Sequence, residues 1–524
     1  MKKLISMIMA MSMISALSVA CGDDGEDDNT PPPAAPTITL EGGNIDQPQE
    51  ITSPMSLKVN IAAPGTIAGF TVTIDSPALT EEMLAMVGLA KELDLVNPGN
   101  MEAALKEFKF PVGNEVKNQT AVLFDVSELV PMIAMIHHET SDHKFILTVT
   151  DAKQQTTTKT LTCHLTAKTT IAYNNDADLW ANTATVSVEA LPEGGSVQYR
   201  VKGAADWIDA ELVEGSKYSL APVWTSAKND AEFDIHSIQA GTGIFAATTY
   251  EVRVAKDGET VDTTEFTTAA GDKIPNGDMS GWSTINRAGI GSTADVAYPN
   301  AEGAEAFWDC GNNGITKTLC ASTEEKAGTA APAAKLASKY MFVLAAGNLF
   351  TGDFSYASMT GTVDFGRKYA WTARPSALKL KYTATVGLID QVRSKGDVVE
   401  GVAKNDPDNA RIFVAIVDWT KPRRVVSDMN NTTGAWDPVK GPDVAPEEGK
   451  IIGYGSLMIP ASESDAADAA LKDTELQIYW YDKTAKPAEG NYSLVISCAC
   501  NAYGDFFTGC SSNTMYVDDF EWVY

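Results

Sequence analysis

The stretch Thr249-Tyr250-Glu251-Val252-Arg253-Val254-Ala255 decides the fold class, because apolar and polar residues alternate through it with a period of two. An extended strand sends successive side chains to opposite faces, so this pattern describes a strand with one face in a core and the other in water. The alternation recurs upstream at Val186-Ser187-Val188 and Val197-Gln198-Tyr199-Arg200-Val201, and downstream at Glu265-Phe266-Thr267-Thr268. With Trp207 between these runs and a tyrosine near the penultimate strand, residues 166–270 read as a small β-sandwich. No set of catalytic residue types gathers in it.

This module resembles the fibronectin type III family, and the resemblance implies a spacer. Further towards the N-terminus, Leu57-Lys58-Val59-Asn60-Ile61, Phe70-Thr71-Val72-Thr73-Ile74 and Lys144–Asp151 (KFILTVTD) are again strands, with Lys159–Leu165 closing the set. Thr80 is placed to cap a helix carrying Glu81 and Glu82 in its first turn, with Met83, Leu84 and Val87 on one face. Asn97-Pro98-Gly99 is expected to end it, and Asn100 to restart a second helix with Met101, Ala104, Leu105 and Phe108 at helical spacing. Ser127 is expected to cap a third helix running to Ile136. Residues 37–165 thus resemble an immunoglobulin-like domain with a helical insertion. Three of the chain's five histidines, His137, His138 and His143, fall beside Asp142 within seven residues. Their spacing matches no metal-ligand pattern, so a polar loop with His138 and His143 solvated is expected.

At the N-terminus, Lys2 and Lys3 precede an apolar run from Leu4 to Ala20 that only serines interrupt. Such a run is too short for a stable membrane span and has the form of a secretory leader, residues 1–20. Leu17-Ser18-Val19-Ala20 before Cys21 resembles a bacterial lipobox, departing from it at Ser18. The resemblance implies cleavage before Cys21, lipidation of that cysteine and attachment to the outer membrane through the acyl chains. Residues 21–36 then form a tether: Gly22-Asp23-Asp24-Gly25-Glu26-Asp27-Asp28 carries five carboxylates, and prolines follow, so the segment cannot build a core. An acidic run in this position resembles the export signal of Bacteroidota surface lipoproteins and implies display on the cell exterior.

Lys and Arg number 40 against 69 Asp and Glu, a net charge of −29, which becomes −31 once Lys2 and Lys3 leave with the leader. So acidic a chain is unsuited to nucleic acid, whose phosphates require a basic surface. Besides Cys21 there are Cys163, Cys310, Cys320, Cys498, Cys500 and Cys510. In an exported protein, Cys310 with Cys320, or Cys510 with Cys498 or Cys500, are candidate disulfides, and the pairing stays open. Cys498-Ala499-Cys500 with Cys510 lacks the two-residue spacer of a zinc knuckle.

From Asn276 onward the chain gathers most of its tryptophans, opening on Asn276-Gly277-Asp278-Met279-Ser280-Gly281-Trp282 and closing on Met515-Tyr516-Val517-Asp518-Asp519-Phe520-Glu521-Trp522. These ends resemble jelly-roll, galactose-binding-like β-sandwiches, and the resemblance implies adjacent first and last strands and a structural calcium near Asp278 and Asp519. Between the ends run Phe307-Trp308-Asp309-Cys310-Gly311-Asn312, Ala333-Ala334-Lys335-Leu336, Leu344–Gly352 (LAAGNLFTG), Val363-Asp364-Phe365-Gly366-Arg367 and Ala373–Lys379 (ARPSALK). In that order they are similar to the PCMD family of Bacteroidota exported proteins, a family named for carbohydrate metabolism. The similarity spans residues 271–524 and departs from the family pattern at Cys310 and in the cysteine-rich end, Ser497 to Cys510. The chain is therefore expected to be all-β: two immunoglobulin or fibronectin-like sandwiches, then a jelly roll.

Sugar rings stack on aromatic planes while Asp, Asn and Arg satisfy their hydroxyls. Candidate platforms are Trp308 with Asp309 and Asn312, Trp371 with Arg374, Trp419 after Asp418, and Trp480 between Tyr479 and Tyr481. Against each stands the commoner fate of a sandwich tryptophan, the core. Gly347 and Asn348 read as a turn rather than a ligand contact. A glycosidase needs two carboxylates, and Asp309, Asp364, Asp418 and Asp505 are available without any motif pairing them. No histidine follows His236, which narrows acid–base chemistry in the last domain to carboxylates. The expected function is glycan binding by a surface lipoprotein, with a glycoside hydrolase or a structural, adhesive protein contacting other surface proteins as alternatives. No resident cofactor is expected beyond the calcium.

Overall fold

Strand takes up 45% of the residues and helix 7%, so the all-β expectation holds. The computed structural model describes residues 33–324, 332–393 and 395–524. The leader, Cys21 and the acidic run to Asp28 lie outside the described residues. The chain forms two compact units that meet in sequence at Lys168 and Thr169.

In the first unit, Ser141–Asp151 alternates as its sequence demands and buries His143, Phe145, Leu147, Val149 and Asp151. It pairs with Thr156–Leu165 on one side and Ile67–Asp75 on the other, and Gln49–Glu50 and Glu92–Asp94 complete a five-stranded sheet. A three-stranded sheet of Thr37–Leu40, Lys58–Ala62 and Ala121–Asp125 shares its core. The first helix is shorter than expected. Thr80 caps it by accepting from the Met83 amide, but it spans only Glu81–Met86. Gly88, at φ +74°, takes the left-handed conformation that closes a helix, with Leu89 N–H donating to Leu84. The residues before Asn97 are thereby released to make the strand Glu92–Asp94. The second helix spans Glu102–Glu107 and the third Val130–Ile136. Ser127 caps neither of them; its hydroxyl accepts from the Leu57 amide at 2.7 Å.

His143 is also corrected. It is buried on the strand, between the hydroxyls of Ser76 at 2.7 Å and Ser141 at 3.0 Å, and burial lowers its pKa. Among the described residues no group of His, Cys, Asp and Glu is placed to hold a metal ion.

The second unit contains both remaining modules, which pack as one body. Sheets built on Ala184–Glu189 and on Ser196–Val201 with Thr249–Lys256 enclose Val186, Val197, Tyr199, Tyr250, Val252 and Phe266. The hairpin Trp224–Lys228 and Asp234–Ile238 leaves this sandwich and extends a twelve-stranded sheet of the last domain, pairing His236 with Trp480. That sheet continues through Gly449–Pro460, Asn409–Trp419, Tyr492–Ala499, Asn348–Ala357, Thr360–Phe365 and Arg423–Ser427. A five-stranded sheet centred on Thr514–Val523 and Ala377–Thr385 shares a core with it, including Trp308, Trp371, Leu378, Ile412, Ile496 and Val517.

The opening segment meets the final strand through one bond, Phe520 N–H to Gly277 C=O at 2.7 Å. The neighbours that pair along Thr514–Val523 are Ala333–Ala337 and Ala377–Thr385. Of the expected calcium carboxylates, Asp519 pairs with Lys381 at 2.8 Å and Asp278 accepts from the Ser280 hydroxyl at 2.9 Å. All six cysteines among the described residues are free and buried, so none of the candidate disulfides is formed. Burial pushes the Cys163 and Cys500 thiols up to about 12.

Candidate functional site

The twelve-stranded sheet makes one cleft out of its period-two faces. On Asn348–Ala357 the side chains of Asn348, Phe350, Phe354 and Tyr356 share one face and line the cleft. Register then builds rows across the neighbouring strands. Asn348 stands opposite Ala499, which stands opposite Arg411; Phe350 meets Ser497, which meets Phe413. In the other direction Phe354 meets Val363 and Val425, and Tyr356 meets Gly361 and Ser427. Small residues at 361, 427, 497 and 499 keep the floor low between rings. The result is a cleft of about 230 Å³.

Trp436 closes one wall. Its ring is half-buried and meets Trp419, Phe413 and Phe365 edge to face at 5.2, 5.4 and 5.9 Å, the arrangement that aromatic quadrupoles favour. Met341, Phe342, Met359, Met429 and Phe507 complete the rim. Polar groups are few. Asn348 Oδ1 accepts from the Gly311 amide at 2.7 Å, leaving Nδ2 without a partner among the described residues. Arg411 is spent on Asp437 at 2.7 Å and on Ser456. Among the described residues Asp505 is the single carboxylate of the lining, solvent-exposed in the cleft. The mass of protein around it raises its pKa by desolvation, against the pull of Arg393. Arg393 itself ties two rim loops together, donating to the carbonyls of Asp428 and Asp505.

The seven side chains singled out from sequence as sugar contacts lie elsewhere, and all are buried; of the carboxylates named there, Asp505 lines the cleft. Trp308 is enclosed by Phe307 and Phe520 and donates to Pro275 C=O at 2.8 Å. Asn312 folds its own loop, accepting from Leu319 and Cys320 and donating to Ala297 and Cys320. Asp309 takes Arg287 in a two-oxygen pair at 2.6 and 2.7 Å and accepts the Phe354 amide, so it positions a cleft strand from behind. Trp371 packs on Trp180, Tyr369 and Trp522, and Trp419 backs Trp436. Trp480 and Arg374 belong to a closed cage. The Arg374 guanidinium lies 4.3, 4.7 and 5.5 Å from the Trp480, Trp180 and Trp224 rings, and donates to the carbonyls of Trp180, Lys483 and Ala485. None of these seven residues offers a ring face or a free polar group to a ligand, because each is 9% exposed or less. Burial lowers Arg374 to about 10, which leaves it charged at neutral pH. The cage fastens the fibronectin-like module to the last domain, so that module is part of the body rather than a separate spacer.

A second cavity, about 410 Å³, lies at this seam. The rings of Trp480 and Tyr250 that line it are fully buried in the two cores, and those of Phe245 and Tyr524 are half-buried.

The family model described as "Putative carbohydrate metabolism domain", PCMD, matches residues 290–523, which contain every wall of the cleft. This is a PCMD domain. No curated protein sequence matches the chain. Among solved structures, the chain is similar to a "putative glycoside hydrolase" from Bacteroides vulgatus, with 19% identity over 46% of this chain and 95% of that one, at TM-score 0.31. A second "putative glycoside hydrolase", from Bacteroides thetaiotaomicron, gives 14% identity over 64% and 98%, at TM-score 0.30. A Bacteroides ovatus mixed-linkage glucan utilization protein, SGBP-B, in complex with a heptasaccharide, gives 9% over 89% and 100%, at TM-score 0.13. Scores this low carry no mechanism from those proteins to this one. The role of the PCMD domain is carbohydrate-related at the level its family description gives.

The cleft residues missed from sequence are Asn348, Phe354, Tyr356, Phe413 and Trp436. Their signal was the alternation within Asn348–Ala357, NLFTGDFSYA, where one face reads Asn, Phe, Gly, Phe, Tyr.

Proposed function

We propose that the cleft of the PCMD domain binds a saccharide and does not hydrolyse it, and that the protein works as a lipoprotein anchored by Cys21 on the outer face of the outer membrane. The observation that carries the binding is the lining itself: Trp436, Phe413, Phe354 and Tyr356 gather around a low floor, with the Asn348 amide and the Asp505 carboxylate free to meet hydroxyls. Aromatic planes hold the C–H face of a sugar while a few placed polar groups fix its orientation. The anchor rests on the sequence alone, on Lys2 and Lys3, the apolar run, Cys21 and the acidic residues behind it.

One observation favours hydrolysis as a second reading, the raised carboxyl of Asp505, as a general acid requires. A glycosidase also needs a second carboxylate about 5–9.5 Å away. The other aspartates named from sequence are committed: Asp309 to Arg287, Asp364 to Arg424 in a two-oxygen pair at 2.8 Å, and Asp418 to Asn491 and the Ala488 amide. Binding is therefore the better fit to the residues present.

The test is a screen of the full chain against immobilised neutral and acidic polysaccharides, with reducing ends assayed in parallel. Retention on at least one polysaccharide without release of reducing sugar is expected. No retention on any would overturn the proposal, and sugar release abolished by Asp505→Asn would replace it with hydrolysis.

A further inference from the structure

The lining of the cleft is divided, and the division specifies its ligand more narrowly than "a saccharide". At the row Arg411, Ala499 and Asn348 the lining is polar, with the Asn348 Nδ2 donor open, while Arg411, Asn313 and Asn501 are bonded to their own neighbours. Across Phe354, Val363 and Val425, and at Met359 and Phe365, the wall itself offers neither a donor nor an acceptor, and the hydroxyls of Tyr356 and Ser427 stand in the adjoining row. A pyranose carries hydroxyls around its whole edge. Pressed against that wall, those hydroxyls would lose water and gain no partner, an unfavourable exchange for any polar group.

The rim repeats the division. Phe342 is 69% exposed and Met341 43% exposed, at the turn between Lys339–Tyr340 and Leu344–Ala345, and Met429 is 44% exposed on the opposite loop. Unbranched, polarisable methionines adapt to irregular apolar surfaces, and uncovered apolar side chains gathered at one cleft mark a contact for an apolar group.

We infer that the ligand is a saccharide bearing an apolar substituent, an alkyl, acyl or aryl group. The sugar lies at the asparagine end, and the substituent lies against Phe354, Val363, Val425 and Met359 beneath Phe342. This inference rests on the saccharide-binding reading.

The experiment compares glycosides of the monosaccharide that terminates whichever polysaccharide the screen returns. Binding of the methyl, phenyl and n-hexyl glycosides to the full chain is measured by calorimetry, with phenol and n-hexanol as sugar-free probes. The phenyl and hexyl glycosides are expected to bind at least tenfold more tightly than the methyl glycoside, with phenol and hexanol far weaker. In Phe342→Ser and Met359→Ser the ratio of phenyl to methyl affinity is expected to fall towards one; being a ratio within one sample, it is insensitive to a fraction of unfolded protein. Equal affinity for all three glycosides overturns this inference and leaves saccharide binding standing. Hexanol binding as tightly as hexyl glycoside, or no glycoside binding at all, overturns both.

Discussion

Around Arg374, the rings of Trp180, Trp224 and Trp480 close on a cation that donates to three backbone carbonyls, and the assembly is sealed. Around the cleft, Trp436, Phe413, Phe354 and Tyr356 stand beside glycine, serine and alanine, and the assembly stays accessible. Both are built from the same residue classes in one compact unit. What separates them is whether the neighbours are large enough to finish the packing. Large neighbours turn an aromatic cluster into a fastening; small ones turn it into a binding surface.

That contrast is broken most severely by removing the cation. Arg374→Ala leaves the carbonyls of Trp180 and Lys483 without the donor that meets them, while Ala485 keeps Trp180 Nε1–H, and opens a void between three tryptophans. Unfolding free energy is expected to fall by about 3 kcal/mol or more, read by denaturant titration. Trp436→Ala tests the other side. Saccharide affinity is expected to fall about tenfold or more, equivalent to about 1.4 kcal/mol, with a smaller loss of stability than Arg374→Ala. If Trp436→Ala proved the more destabilising change and left affinity intact, the two regions would have to exchange roles.

A buried charge without a cage sharpens the comparison. Asp518 is 1% exposed, accepts one backbone bond from Asp519 and leaves Oδ2 without a partner, and burial raises its pKa from 3.8 to about 7. Its folded-state proton affinity exceeds that of the unfolded chain, so protonation favours the fold. The contribution is complete below the unfolded value of 3.8 and is lost as pH rises through about 7. Asp518→Asn is expected to flatten the decline in stability over that window, read as denaturant midpoints at pH 5 and pH 8. The smallest effect belongs to the rim: Phe342→Ser, at a largely exposed site, is expected to change stability by no more than about 0.5 kcal/mol.

The all-β architecture was legible because period-two runs such as Thr249–Ala255 encode strands locally, and Thr80 and Lys144–Asp151 behave much as their patterns imply. Local signals failed where a partner distant in sequence intervened. Ser127 answers Leu57 rather than a helix, and Gly88 ends a helix that the apolar spacing would carry further. The site was misread for a related reason. Trp308, Asp309, Trp371, Arg374 and Trp480 are the chemically conspicuous residues of the domain, and the sheet spends them on its core and its fastening. The cleft is made of ordinary phenylalanines at alternate positions of one strand, and of Trp436, which carries no motif. Only register across five strands brings these together, and register is not written in any one segment.

Ligand is expected to meet the aromatic cluster whose neighbours are small. Hydrogen exchange of the full chain, with and without the saccharide that it retains, addresses this directly. Slowed exchange is expected in Asn348–Ala357, Thr360–Phe365 and the loops around Met429, Trp436 and Asp505. Protection confined to Trp224–Lys228, Asp234–Ile238 and Tyr479–Trp480, with the cleft strands unchanged, would contradict it.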